Sequence, residues 1–578
     1  MKHPRATDDA GSLREPADGG ADVLVTPAES AITPAEAGAA SANTTASSPA
    51  DSGRSVRSVV GKAAMIILVA TLIGRIIGMF RDTAIAYFFP GNLTDAFFLA
   101  FRVPYLLELT VAGALTAAFI PLFSYRLAIG KKREAWDLSV NIGNIICLVL
   151  IGISVVLIVI ARWLIPVIGP GYRHDPVTIG KAVFLFRILM IGFLFDGMGG
   201  LLIGMLNSLR RFALAAFAPA IGTVATLAII VAFSRSAGVL AIAIASVVGS
   251  VVGMVVLLPG LRDQHIGYGL RIDWHDPTVR EVGGMVWPIL LGSAVGKITI
   301  FTDQIFASFI SQGAISSLNY ADKLFQLPLG LFVAGITVPI FPLLSEQVAS
   351  KSPERVKATL DFALRLMGFL LIPATIGIIL LRYPLVGLLL QHGEFQAGDT
   401  ARTTWALLFE CLGLYAYAGR DTLTRVFYAH HDTRTPVKIS AATVFINIGF
   451  SYWLMHYLGV GGLTLGTTIA LTINLVVLVW LLRRKIGMIG LRKTGGSVLR
   501  VLAASAVMGL IVWVVDFALG RAVGATFSAY AIRLAVGIVI GAGSFLFVAR
   551  LARIPELAET VDMLRAVIRR RQREDKSA

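Results

Sequence analysis

Gly74 to Glu108 reads GRIIGMFRDTAIAYFFPGNLTDAFFLAFRVPYLLE, and this stretch decides what kind of chain this is. It is apolar enough for lipid, yet it carries Arg75, Arg81, Asp82, Asp95, Arg102 and Glu108. A charge near a bilayer centre costs about 3 kcal/mol by even the lowest estimates. Six charges in one helical hairpin are untenable as lipid-facing surface. They make sense lining a wet internal cavity that binds something charged. With a helix entering near Lys62, Arg75 stands roughly 20 Å deep at about 1.5 Å per residue. Arg75, Gly78 and Asp82 share one helical stripe, and Arg81 flanks it.

The whole composition agrees. Of 578 residues, 56% are apolar and only 15% charged, with a mean hydropathy of +0.77. This is the signature of an all-α polytopic membrane protein. The net charge of +16 does not point to nucleic acid, because Lys and Arg sit mostly in short loops between apolar runs, where they act as topology signals. The two cysteines, Cys147 and Cys411, lie in apolar runs and are too few for a four-Cys zinc site or a disulfide framework. No G-x-x-x-x-G-K-[ST], H-E-x-x-H or G-x-S-x-G pattern occurs, so the chain reads as neither an ATPase nor an enzyme of those classes. Energy would then come from the membrane potential or an ion gradient.

Residues 1–58 are rich in Ala, Ser, Thr and Pro without apolar periodicity and read as a disordered cytoplasmic tail. Fourteen apolar segments follow, from 62–82 to 528–551, each long enough to span. Pro104, Pro121, Pro328 and Pro339 suggest kinked helices along a cavity. Alternate loops are basic, as in Lys131-Lys132-Arg133, Arg210-Arg211 and Arg483-Arg484-Lys485, while PGNLTD and SQGA carry no Lys or Arg. The tail after the last span adds Arg569-Arg570-Arg571. Both termini are therefore expected in the cytoplasm.

A repeat runs through the order. Asp82 and Asp303, Arg102-Val-Pro104 and Gln326-Leu-Pro328, and Pro219 and Pro436 recur at offsets near 220 residues. Six spans per unit make the repeat parallel, about an axis along the membrane normal, with binding where the halves meet. Small-residue spacings at Gly74/Gly78, Gly200/Gly204 and Gly249/Gly253 are read as close helix packing.

Arg75, Arg81, Arg102 and Lys323 are candidates for a cationic cluster at that interface, with Asp82 and Asp95 beside them. Guanidinium groups bind phosphate bidentately, so the natural ligand is an amphiphile with a phosphate head. Arg81 with Asp82 also fits an ion pair at a helix end, and Lys323 a pair with Asp322 or Asp95. Asp303, in ITIFTDQIF, has no cation one turn away and is a candidate proton or Na⁺ site. Asn447, Ser451 and Thr467 supply the oxygen atoms that hard cations take.

The motifs GRIIGMFRD, TDAFFLAFRVP, GALTAAFIP, IFASF, NYADKLFQLPLG and DTRTPVKI together resemble the MurJ/MviN family of lipid II flippases, in the multidrug/oligosaccharidyl-lipid/polysaccharide exporter superfamily. The resemblance implies fourteen transmembrane helices, with an N-lobe at 59–260, a C-lobe at 261–495 and two helices at 496–552 that shape a lipid-tail groove. A basic cytoplasmic tail follows at 553–578. It implies a non-enzymatic, monomeric transporter of the bacterial inner membrane that moves the undecaprenyl-pyrophosphate-linked peptidoglycan precursor outward by alternating access, among membrane lipids. The family's cavity arginines fall on Arg75 and Arg81, its acidic residue early in the second helix on Asp95, and its eighth-helix basic residue on Lys323. Its sodium site falls on Asp303, Asn447, Thr467 and the backbone near Leu463, with Ser451 where an acidic ligand is expected. No organic cofactor is implied, only Na⁺ or H⁺ as coupling ion. The chain departs at Glu108, where many members have arginine, and at Ala112-Gly113, where an acidic-Gly pair is expected. A flippase for another lipid-linked oligosaccharide stays open, as does a drug/cation antiporter, which cavity arginines disfavour.

Overall fold

In a bilayer core every backbone N–H and C=O must be satisfied within the protein, so apolar segments become helices. The computed structural model describes residues 49–560 except 265–268, 270, 296, 489 and 525. Among the described residues it is all-helical. In chain order the helices are α1 Pro49–Phe88, α2 Gly91–Ala128, α3 Lys132–Ile168, α4 Pro176–Ser208, α5 Phe212–Ala237, α6 Leu240–Leu257, α7 Pro277–Val295, α8 Ile298–Ala307 and α9 Ala314–Pro328. They continue as α10 Ala334–Ala349, α11 Pro353–Leu380, α12 Arg382–Leu389, α13 Ala397–Cys411, α14 Leu414–Ala429, α15 Arg434–Leu458, α16 Val460–Ile486, α17 Leu491–Val523 and α18 Phe527–Leu551.

Eleven of the described helical stretches are long and apolar enough to cross a membrane. The expected seventh span is broken between α7 and α8, and the expected tenth between α13 and α14. Pro104 and Pro121 lie inside an unbroken α2, whereas Pro328 ends α9 and is followed by a π-helical turn, Leu329–Val333. The first helix begins at Pro49, inside the stretch expected to be tail. The rest of that tail, 1–48, and the end of the basic tail, 561–578 with its arginine triplet, lie outside the described residues. Apolar side chains stand out on the outer helix faces, with Phe445 75%, Val539 71% and Phe547 70% exposed. Such exposure is tolerable only against lipid.

The repeat is written into the turns. Residues with positive φ occur at Gly130 and Lys351, at Arg210 and His431, and at Gly238 and Gly459, and each pair is 221 residues apart. These are helix ends closed by a residue of positive φ, recurring at one register. Three of the six are not glycine, so the backbone geometry and not the residue type is what repeats. The ends of α4 and α14, Ser208 and Ala429, keep the same offset.

Within the first repeat, α2 packs along α4 and α3, α4 also packs on α6, and α5 runs along α6. In the second, α15 runs along α16, and α13 and α14 pack on α16, α13 also on α9. The α17–α18 pair lies against α11, joined by Arg533 and Asp516 at 2.8 Å. The DTRTPVK segment fixes the entry to α15. Lys485 Nζ donates to Asp432 at 2.8 Å, and Thr435 N and Oγ1 donate at 3.1 and 3.0 Å. These bonds, Lys485 first, hold the Asp432 carboxyl at about 2. A depressed carboxylate stabilises above its ordinary range, and that contribution is lost as pH falls through about 2.

The small-residue spacings differ in use. A Cβ on Gly249 would fall on Thr226 Oγ1, and one on Gly222 would lie 2.6 Å from Gly249 O, so α5 and α6 approach backbone to backbone. A Cβ on Gly200 would lie 2.7 Å from the Ala112 Cβ, whereas Gly78 has open space around it. Gly249→Ala is therefore expected to lower unfolding free energy by about 1–3 kcal/mol through overpacking, while Gly78→Ala leaves it unchanged. Thermal unfolding in detergent compares the two.

Candidate functional site

A cavity of about 750 Å³ opens between the two repeats, lined from α1 and α2 on one side and from α8, α9, α13, α14, α15 and α16 on the other. Arg75 and Arg102 reach it, and Lys297, Asp303, Gln304, Asn319 and Asp322 face them. Arg75 donates through Nη1 to the carbonyl of Gln326. It fits there because the π-helical turn puts Gly330 beneath it, where any Cβ would fall on the guanidinium. Arg102 donates through Nε to Gln304 Oε1 at 2.6 Å and through Nη2 to Asn319 Oδ1 at 2.9 Å. Both guanidinium groups are thus held by neutral acceptors and keep their charge for a ligand. Arg102 is also within electrostatic reach of Asp322 and Asp303, so Asp303 has a cation nearby after all, supplied by the other repeat.

The remaining expected binding residues stand elsewhere. Arg81 and Asp82 form an ion pair at 2.7 Å, with Asp82 buried, and neither is among the residues lining the cavity. Lys323 is not among them either. Its Nζ lies 5.6 Å from the centre of the Tyr105 ring, and among the described residues it has no ion pair with Asp322 or Asp95.

Asp95, expected to bind ligand, is a structural cap. Its Oδ2 accepts from Tyr172 Oη and Gly313 N, both at 2.6 Å, and its Oδ1 accepts from Ser316 N at 2.8 Å and Ser316 Oγ at 2.5 Å. A carboxylate from α2 thereby closes the open amides at the start of α9. Four donors leave it little capacity for anything else. Around it, Thr94 Oγ1 meets Ser316 Oγ at 2.7 Å, Gly171 N donates to Ser308 Oγ at 3.0 Å, and Glu394 N donates to Tyr87 O at 3.0 Å. These bonds tie the repeats together at one end of the cavity.

The expected cation ligands do come together. Thr467 Oγ1 donates to Asp303 Oδ2 at 3.2 Å, Asn447 Nδ2 to Thr467 Oγ1 at 2.9 Å and to Ser451 Oγ at 3.3 Å, and Ser451 Oγ to Leu463 O at 3.3 Å. Asp303 Oδ1 and Asn447 Oδ1 are buried without a hydrogen-bond partner. Two orphaned oxygens beside a hydroxyl and a carbonyl fit a hard cation. With one carboxylate in the set, the charge balance suits a monovalent ion or a proton.

Glu108 does not face this cavity. It lines a separate space of about 20 Å³, room for roughly one water, with Tyr105, Asp196, Ser246 and Ser250. Ser250 Oγ donates to Asp196 Oδ2 at 2.8 Å, and Arg81 and Lys323 are electrostatic neighbours of Glu108. The cavity residues that sequence reasoning missed are Glu410, whose Oε2 is buried and unpartnered, and Arg420, Asp421 and Arg425 of α14. The signal was present: R-D-T-L-T-R lies inside the tenth apolar span.

Comparison with known proteins bears on this geometry. The family model described as lipid II flippase MurJ matches residues 85–549. A probable lipid II flippase MurJ of Rickettsia prowazekii is 30% identical over 420 residues, 72% of this chain and 82% of that one. The lipid II flippase MurJ of Burkholderia cenocepacia is 30% identical over 437 residues, covering 74% and 82%. Among solved structures, a lipid II flippase MurJ in an inward closed conformation superposes with a TM-score of 0.70 at 23% identity, over 84% of this chain and 99% of that one. An inward-facing multidrug resistance MATE transporter of the MOP superfamily gives 0.62 at 17% identity, over 74% and 98%. These two likenesses establish the fold.

Asp95→Asn keeps the shape but turns an NH₂ toward donors. It is expected to lower unfolding free energy by about 2–4 kcal/mol and to speed hydrogen exchange at the Gly313 and Ser316 amides. Unchanged exchange there would show that the cap carries no stability.

Proposed function

The chain belongs to the MurJ family of lipid II flippases, and from that membership we propose that it carries lipid II from the cytoplasmic to the outer leaflet of the bacterial inner membrane by alternating access. The observation that carries the reading is the pair Arg75 and Arg102. Two guanidinium groups stand in a cavity of the membrane core with only neutral hydrogen-bond acceptors. Such charge is costly in the apo state and is matched when a pyrophosphate takes the free donors. The helices at 59–260 and 261–495 act as the two lobes, those at 496–552 shape the lipid-tail groove, and fourteen crossings put both termini in the cytoplasm.

The protein works as a monomer and without catalysis. Arg81, beyond Arg75 along α1, and Lys323 of α9 are linked electrostatically through Glu108 and form the next cationic station on the outward path. Na⁺ or H⁺ is held by Asp303, Asn447, Thr467 and Leu463 O, where it supplies the charge that balances Asp303. A cationic drug as cargo is disfavoured by Arg75 and Arg102, although the fold is shared with a multidrug resistance MATE family transporter.

In cells depleted of their own lipid II flippase, the wild-type chain is expected to restore growth and Arg75→Ala to fail. Loss of a charge-assisted bond of about 1.5–3 kcal/mol weakens binding roughly 10- to 100-fold. Gly330→Ala should reproduce a milder form of that defect, with an unchanged unfolding midpoint, because the flexible guanidinium and not the backbone gives way. A wild-type chain that inserts but never rescues would exclude lipid II as cargo. In reconstituted vesicles, flipping should depend on Na⁺ or pH, and Asp303→Asn should abolish that dependence. Flipping indifferent to both ions in the wild type would remove the ion site.

A further inference from the structure

Two repeats with one register allow each cavity charge to be compared with its counterpart. The α14 positions Arg420, Asp421 and Arg425 correspond, 221 residues earlier, to Gly199, Gly200 and Gly204 of α4. In α4 Gly200 meets Ala112 of α2 closely and Gly204 makes ordinary contact with Phe119 and Thr116, whereas a Cβ on Gly199, the counterpart of Arg420, would meet nothing within 4 Å. The fold therefore builds this helix without any charge there. In α14 the same face is turned to the cavity and carries three.

The three are not equivalent. Arg425 Nε donates to Asp421 Oδ2 at 3.1 Å, an i,i+4 ion pair that neutralises both. Arg420 donates through Nη2 to Ser440 Oγ at 3.3 Å, a long bond to a neutral hydroxyl, and among the described residues it has no ion pair. Half-buried on the cavity wall, it has no ion pair of its own, and no packing requirement of the repeat asks for a charge there. One turn earlier on α14, Tyr417 is within electrostatic range of Arg420 and Arg75, and also of Asp421 and Asp322. The two guanidinium groups thus reach one tyrosine from opposite sides of the cavity, Arg75 from α1 and Arg420 from α14, each with free donors.

We propose that Arg420 is a second anion-binding station, which receives an oxyanion of the cargo while Arg75 and Arg102 hold another. The proposal rests on the transport reading above and adds a residue to it. A guanidinium fork takes phosphate or carboxylate oxygens in the same bidentate geometry, and lipid II offers both, in its pyrophosphate and in its peptide. Arg420 lies nine residues from the end of α14 at Ala429, about 13 Å at 1.5 Å per residue. It is therefore within reach of a head group that enters while the tail is still in the membrane.

The test uses the full chain in detergent, with lipid II and, separately, peptide-free polyprenyl pyrophosphate as titrants. Arg420→Gln is expected to weaken lipid II binding about 10-fold. Weakening of lipid II alone assigns Arg420 to a peptide carboxylate, and weakening of both titrants assigns it to the pyrophosphate. If Arg420→Gln does not fold, Arg420→Lys keeps the charge and loses the fork, and weaker lipid II binding is again expected. Wild-type affinity in the folded Arg420 variant, with Arg75→Gln weakened, overturns the second station and leaves the transport reading intact. If the wild-type chain binds neither titrant, the transport reading fails and the station falls with it.

Discussion

A buried carboxylate between two copies of one helical hairpin holds this structure in its observed state. Asp95 and Ser316 are 221 residues apart, the offset of the repeat itself, and they touch. In a parallel repeat, equivalent residues meet only beside the axis that relates the halves. The Asp95 cap on α9 therefore marks that axis, and any rotation that parts the halves at this end must break it. Arg102 depends on the same closure, because both of its acceptors, Gln304 and Asn319, belong to the second repeat. Cap and cavity charge are consequently linked: when the α2–α9 contact opens, Arg102 loses its neutral partners. Its charge then has a bound anion or water as the remaining alternatives.

Hydropathy, loop charge and the recurrence of landmarks made the architecture legible, because each is a property of a segment or of an interval along the chain. The turns sharpen the recurrence to one register that neighbouring residues alone do not reveal. What was not legible was which neighbour covers a given helix face. Helical spacing placed Arg75, Arg81 and Asp82 nearly on one stripe, yet Arg75 opens to the cavity while Arg81 bonds to Asp82. Asp95 looked like one more cavity charge because its partners, Tyr172, Gly313 and Ser316, come from distant segments. Arg420 was overlooked for the opposite reason. It sits in a polar stretch of a broken span, where a charge draws less notice than in an apolar one.

Glu108 illustrates how a substitution changes meaning with its surroundings. Read along the chain, it replaces a cation with an anion in the binding hairpin. In three dimensions it faces α4 and α6 beside Asp196, with Arg81 and Lys323 as its electrostatic neighbours. The cationic lining of the main cavity is left to Arg75, Arg102, Lys297 and the arginines of α14. Glu108 instead lowers the net charge around Arg81 and Lys323. Two cations that would otherwise repel a shared neighbour of like sign now have a carboxylate between them.

The two repeats have divided their labour. In the first, small residues close α2 on α4 and α5 on α6 almost backbone to backbone, as at Gly200 and Gly249. Close packing of that kind makes a stiff body, and the polar groups on those faces, such as Thr226 and Thr116, bond to backbone carbonyls. In the second, the corresponding helices carry Arg420, Asp421, Arg425, Asn447 and Thr467, and the orphaned oxygens of Asp303 and Asn447 lie among them. The second repeat is thus the costly one to assemble in lipid. The first contributes Arg75 and Arg102 across the interface, each anchored on an acceptor of the second. Charge and anchor lie on opposite sides of the joint, so movement of one repeat against the other alters what the guanidinium groups can bind. A clamp built wholly within one repeat would not feel that movement.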